Sequence, residues 1–216
     1  MNLSYRLGRY AFRFVFATYF RWRVFHPERV PPTGPVILAA NHASFIDPPL
    51  VGAGARRHIS FLARKTLFHS LVGVALRSWR VVPVDRDGGG GAGLKAILDR
   101  LLEGGAILLF PEGTRTSDGQ LQAARSGIGL VVIKSAAPVV PVRVFGTYEA
   151  FGRHRRFPLP QRLMVKYGRP LDFTALRAEA RSCSKARLKE IYRQVADDIM
   201  AAIAKLEPCW EKTTFP

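Results

Sequence analysis

Apolar residues fall along this chain in short blocks separated by polar loops. Six blocks read as strands: Val36–Ala40, Ile59–Leu62, Val81–Val84, Ala106–Phe110, Val139–Phe145 and Leu163–Tyr167. They show little apolar–polar alternation, which is the mark of strands covered on both faces. Between them the pattern predicts helices at Pro48–Ala55, Lys65–Arg77, Gly93–Glu103 and Gly127–Ser135. A last helix, about 183 to 206, sets Leu188, Ile191, Val195, Ile199, Ile203 and Leu206 on one stripe. This order predicts an α/β fold with a largely parallel central sheet covered by helices. No internal repeat is visible. The run "GGGGAG" at 88 to 93 reads as a flexible connection.

Residues 3 to 25 predict an N-terminal amphipathic helix. Arg6, Arg9 and Arg13 share one face, and Leu7, Ala11, Phe12, Phe14, Val15, Tyr19 and Trp22 cover a broad opposite arc. Such a helix suits a membrane interface. A surface helix packed on the core, with solvated arginines, gives the same pattern. Pro27, Pro31, Pro32 and Pro35 then break the chain. The expected division is a membrane-associating segment at 1–30 and a single domain at 31–216.

Composition narrows the partners. The net charge is +17 over 216 residues and the sequence pI about 10.9. That balance favours nucleic acid, an anionic membrane surface or phosphorylated substrates. Cys183 and Cys209 have no metal-like spacing and read as free thiols of a reducing compartment. Uncharged runs such as Thr66 to Leu76 fall short of the roughly 20 apolar residues that span a bilayer. Arg6, Arg9, Arg13, Arg21 and Arg23 argue against a signal peptide.

Candidate chemistry lies in loops that follow strands, where open parallel sheets bind ligands. "NHASFID" at 41–47 follows the first block and "FPEGTRT" at 110–116 follows another. An imidazole at His42 can take a proton from a substrate hydroxyl, and Asp47 can fix its tautomer. Asp47-Pro48-Pro49 reads equally as a helix cap with proline at the first turn. No serine or cysteine nucleophile accompanies His42: Ser44 is an ordinary loop serine, and Ser126 is not in a nucleophile elbow. The expected chemistry is direct attack by a substrate hydroxyl. Arg115 offers a planar fork for phosphate, Gly113 lets the backbone approach a ligand, and Thr114 and Thr116 add hydroxyls. Glu112 can orient Arg115 or hold a substrate hydroxyl. Arg86 and Lys65, each after a strand, are further candidate anion ligands, although a single basic residue there reads equally as a solvated charge. The glycine run lacks the Gly-Lys-Ser/Thr of a P-loop, and His26, His58, His69 and His154 form no metal spacing, so no metal is expected.

Taken together, these stretches resemble the glycerolipid acyltransferases of the 1-acylglycerol-3-phosphate acyltransferase type. Asn41-His42-x4-Asp47 matches their H-x4-D motif. Val82-Pro83-Val84-Asp85-Arg86 resembles the second block, Phe110-Pro111-Glu112-Gly113-Thr114-Arg115 the third, and Pro138-Val139-Val140-Pro141-Val142 the fourth, in the family's order. The resemblance implies His42 as general base with Asp47 as its partner. It places Arg86, Glu112, Gly113 and Arg115 at the acceptor phosphate and Pro141 near the acyl donor. It implies acyl transfer from acyl-CoA or acyl carrier protein to 1-acylglycerol-3-phosphate, with no cofactor beyond that thioester. With lipid substrates, no segment able to span a bilayer, a charge of +17 and an apolar arc on the N-terminal helix, the expected place is that of a peripheral enzyme on the cytoplasmic face of the inner membrane. Two departures bear on the acceptor: Arg80 stands where a small residue is usual, and Ala124-Arg125-Ser126-Gly127 replaces an aromatic-basic-x-glycine stretch. Glycerol-3-phosphate or another lysolipid, such as a lyso-ornithine lipid, is the alternative acceptor. Nucleic-acid binding is the alternative class, but no recognition motif supports it, and nucleic acid is not an expected partner.

Overall fold

The computed structural model describes residues 3–69, 73, 76, 77, 79, 81–84 and 91–210. Among these residues seven strands form one sheet: β1 (Arg23–Phe25), β2 (Val36–Ala40), β3 (Ile59–Arg64), β4 (Val82–Val84), β5 (Ala106–Leu109), β6 (Val139–Phe145) and β7 (Met164–Tyr167). The spatial order is β1-β7-β6-β2-β5-β3-β4. All neighbouring pairs are parallel except β6 with β7. This is the expected α/β fold with a largely parallel sheet.

Successive residues of the central strands point to opposite faces. Val36, Leu38, Ala40, Leu108, Val140 and Val142 join one core cluster, while Ile37, Ala39, Ile107, Leu109 and Val139 join the other. The first face is covered by α1 (Leu3–Thr18) and α2 (Asp47–Gly54). The second is covered by α3 (Gly91–Leu102), α4 (Gly127–Lys134) and, after two short helices, α5 (Thr147–Phe151) and α6 (Thr174–Glu179), by α7 (Lys185–Ala204). Ile191, Val195, Ile199 and Ile203 of α7 are fully buried, as the stripe predicts.

Three expectations are corrected. The N-terminal helix stops at Thr18, and Arg23–Phe25 joins the sheet edge beside β7. Phe16, Phe20 and Trp22 pack into the first core, so the chain must turn there to seat them. The segment expected as a helix from Lys65 to Arg77 begins as a 3-10 helix over Lys65–His69. Last, Arg9 and Arg13 bond back onto the protein, Arg9 half-buried and Arg13 still exposed. Arg9 donates to the Ala53 and Ala55 carbonyls, and Arg13 to the Ala53 carbonyl at 3.2 Å. They satisfy carbonyls that the end of α2 leaves open. Phe12 also turns inward, towards Phe16. The outward stripe is Leu3, Leu7, Tyr10 and Phe14, each between 61% and 70% exposed. Among the described residues no helix is long and apolar enough to cross a membrane.

Candidate active site

His42 lies two residues beyond the end of β2, at the edge where the parallel strands end. Asn41 ties this turn to β6: its Nδ2 donates to the Val144 carbonyl at 3.2 Å, and its Oδ1 accepts from the Val144 N–H at 2.8 Å. The next residues curl back so that Asp47, fully buried, meets the ring. His42 Nδ1 lies 2.8 Å from Asp47 Oδ2. A carboxylate only accepts, so Nδ1 carries the proton and Nε2 has a free lone pair. Asp47 Oδ2 also accepts the Ala43 and Ser44 N–H groups, both at 2.7 Å. Asp47 opens α2, but its carboxylate faces back to the loop and makes no helix cap.

The FPEGTRT loop grips His42 from the neighbouring strand. Phe110 stacks on the imidazole at 3.8 Å between centroids. Glu112 Oε1 accepts the His42 N–H at 2.9 Å, and the His42 carbonyl accepts the Thr116 N–H at 2.8 Å. Glu112 is only 3% exposed. Its Oε2 accepts the Gln122 N–H at 3.3 Å. Burial raises its carboxyl to a pKa of about 7, against the pull of those two amides, with a smaller push from Asp47. In this structure its carboxylate therefore braces the backbone of His42.

Gly113 holds φ at 71°, and a Cβ there would lie 2.8 Å from Arg125 Cδ. Only glycine gives both the left-handed turn and the room. The Arg115 guanidinium lies 3.4 Å above the Phe45 ring, a cation–π contact. Thr114 Oγ1 accepts from Arg153. Sequence reading missed Phe45 and Arg153, although an aromatic inside the H-x4-D loop was visible. Lys65 is exposed just beyond β3, at the same sheet edge. Arg86 lies outside the described residues. Pro141 sits in β6, in register with Ala39 and packed by Gly168, inside the sheet and not at its open edge. Ser44 Oγ donates to the Phe151 carbonyl and not to His42. Among the described residues no cluster of three metal-ligating side chains occurs.

The profile of the acyltransferase family matches residues 21–145, which is more than half of the chain. The chain belongs to this family. The matched region runs from β1 through β6 and holds both loops of the site. Among curated proteins, the chain is 29% identical over 126 residues to a 1-acyl-sn-glycerol-3-phosphate acyltransferase of Bacillus subtilis, covering 57% of this chain and 62% of that one. It is 32% identical over 117 residues to the chloroplastic 1-acyl-sn-glycerol-3-phosphate acyltransferase LPAT1 of Arabidopsis thaliana, covering 52% of this chain and 32% of that protein. The chain thus spans less than two thirds of these relatives. The crystal structure of the 1-acyl-sn-glycerophosphate (LPA) acyltransferase PlsC of Thermotoga maritima shares the acyltransferase fold: TM-score 0.70 over 97% of this chain and 80% of that chain, at 24% identity.

Proposed function

We propose that this acyltransferase moves a fatty acyl group from a thioester donor to the free hydroxyl of 1-acylglycerol-3-phosphate, giving phosphatidic acid. The observation that carries the reading is the Asp47–His42 pair at the sheet edge, beside an arginine-bearing loop. His42 Nε2 takes the proton of the acceptor hydroxyl. The oxygen attacks the thioester carbonyl, and the buried Asp47 charge stabilises the imidazolium. Collapse of the tetrahedral intermediate breaks the carbon–sulfur bond, and the thiolate leaves with the proton from His42. An ester and a free thiol result. Arg115, aided by Lys65 and Arg86, holds the acceptor phosphate so that the hydroxyl reaches His42. Positioning of this kind supplies much of a rate enhancement. The reaction as written needs no cofactor beyond the thioester. The protein works as a peripheral enzyme on the cytoplasmic membrane face. The outward stripe of α1 supplies the apolar contact and the +17 charge the attraction to anionic lipid.

The test is acyl transfer by folded variants. His42→Ala should lose about a hundred- to ten-thousand-fold in kcat. Asp47→Asn can keep an oxygen towards the two amides while removing the charge, so it should keep the loop and lose activity on a similar scale. Arg115→Lys should raise KM for lysophosphatidic acid more than for the donor, because the planar fork is lost. Near-normal turnover in folded His42→Ala protein would overturn the reading.

A further inference from the structure

The segment after β6 joins the two loops of the site. α5 (Thr147–Phe151) leads into Gly152 and Arg153. It is tied to both loops. Ser44 Oγ, in the His42 loop, donates to the Phe151 carbonyl at 2.6 Å. Tyr148 Oη donates at 2.7 Å to the carbonyl of Ser117, the residue after FPEGTRT. The Arg155 N–H then bonds the Gly152 carbonyl at 3.1 Å and closes the turn that presents Arg153. Arg153 reaches across to Thr114 Oγ1. A closed circuit of contacts results. Thr114 and Arg115 are chain neighbours, and Arg115 lies over Phe45. The Phe45 and Phe151 rings are 5.9 Å apart, and Arg153, two residues past Phe151, returns to Thr114. Phe45 and Arg153 are exposed and Thr114 half-buried, so the circuit is open to a ligand. It is also fixed relative to the imidazole. Glu112 and Thr116 both bond the His42 backbone, and Thr114 and Arg115 lie between those two bonds.

The circuit carries two guanidinium groups, and one of them lies beyond residues 21–145, the stretch that matches the family profile. Among the described residues no carboxylate pairs with Arg153; its partner is a neutral hydroxyl. A hydroxyl leaves the guanidinium charge uncompensated. It also yields readily to an anionic oxygen, whose hydrogen bond to a guanidinium is roughly twice as strong. Two guanidinium groups on one circuit suit a group with several charged oxygens. A phosphomonoester is such a group, with a charge of about −1.5 to −2 near pH 7 and three acceptor oxygens. A phosphodiester lacks the second ionisation and one of those oxygens. We propose that Arg153 is a specificity-determining residue: together with Arg115 it binds the acceptor phosphate and favours a phosphomonoester over a phosphodiester lysolipid. The inference rests on the acyl-transfer reading and adds to it the group that chooses the acceptor's head.

Turnover of the full chain with two acceptors of the same acyl chain tests it. Lysophosphatidic acid is the monoester and lysophosphatidylglycerol the diester, with one thioester donor common to both. The native ratio of kcat/KM should favour the monoester, and in Arg153→Gln that ratio should fall by about tenfold or more. The loss should lie in KM for lysophosphatidic acid rather than in kcat. Arg153→Lys should keep part of the preference, because the charge stays and the planar fork goes. Where transfer to the diester is too slow to follow, competition between the two lysolipids gives the same ratio from inhibition constants. Arg153 is exposed, so both substitutions spare the core, and thermal melts check that each variant is folded. If Arg153→Gln slows both acceptors in equal proportion, the residue only braces the Thr114 loop and the inference is overturned. Native turnover of lysophosphatidic acid with a ratio that Arg153→Gln leaves unmoved removes this inference alone. Failure of the native protein to acylate lysophosphatidic acid removes the proposed function with it.

Discussion

Asp47 Oδ2 accepts three hydrogen bonds while Oδ1 is buried with no partner among the described residues. A buried acceptor left unpaired is costly. Glu112 behaves differently. Burial lifts it to about 7, whereas the unfolded chain titrates near 4.5. The sign follows by linkage. Between those values the folded protein holds a proton that the unfolded chain releases. This contribution to stability is fully present below about pH 4.5 and is lost as pH rises through about 7. Glu112→Gln lacks it. Denaturant titrations at about pH 5 and about pH 8 should show native stability falling relative to the variant, by an amount of order 1–3 kcal/mol. Parallel curves for the two proteins would show that Glu112 does not titrate in this way. The chemical types at His42, Asp47 and Arg115 were legible in the sequence. The direction of the Glu112 carboxylate was not, because a turn can aim a side chain outward to a ligand or inward to an amide.

At the scale of elements, α1 serves two masters. Tyr5 and Phe16 are buried and Phe12 packs on the core, while Leu3, Leu7, Tyr10 and Phe14 face outward. The wheel drawn from sequence had the helix but rotated its meaning, since the helix-end carbonyls that Arg9 and Arg13 meet belong to α2, far along the chain. β1 was missed for a related reason. Three residues, Arg23-Val24-Phe25, carry no period that separates strand from helix, and only pairing with β7 fixes them. The two faces should separate under mutation. Leu7→Ser with Phe14→Ser should cut partitioning to anionic vesicles by about tenfold or more, with stability changed by less than about 0.5 kcal/mol. Phe16→Ala should instead cost about 3–5 kcal/mol. Vesicle sedimentation and thermal melts on both variants measure this, and unchanged sedimentation of the double variant would rule out the stripe as the anchor.

Over the whole molecule, the strand order was not legible. Six of the seven strands could be read from their apolar blocks, but nothing in a single block states its neighbour. The order nevertheless sets what surrounds His42, since β2 lies between β5, which leads into the FPEGTRT loop, and β6. The net charge of +17 acts at this scale too. Near 1 M salt the screening length shrinks to about 3 Å. Native protein should keep part of its vesicle binding in such salt, since the apolar stripe is not screened. The Leu7→Ser, Phe14→Ser variant should lose all of it. Equal salt sensitivity of the two proteins in flotation would mean that charge alone holds the protein to lipid.

The pairing of β1 with β7 also bears on how the chain comes off the ribosome. Arg23 lies opposite Met164, and among the described residues β1 has no neighbour besides β7. Among the described strands, the first in chain order is therefore the one that must wait for the last. Until residues 164–167 emerge, the segment after α1 has no strand to pair with, and closing so long a loop is slow. During that interval Phe20 and Trp22 lack part of their final cover. Nascent chains stalled before Met164 should thus be the stage most in need of a chaperone or of an early landing on lipid.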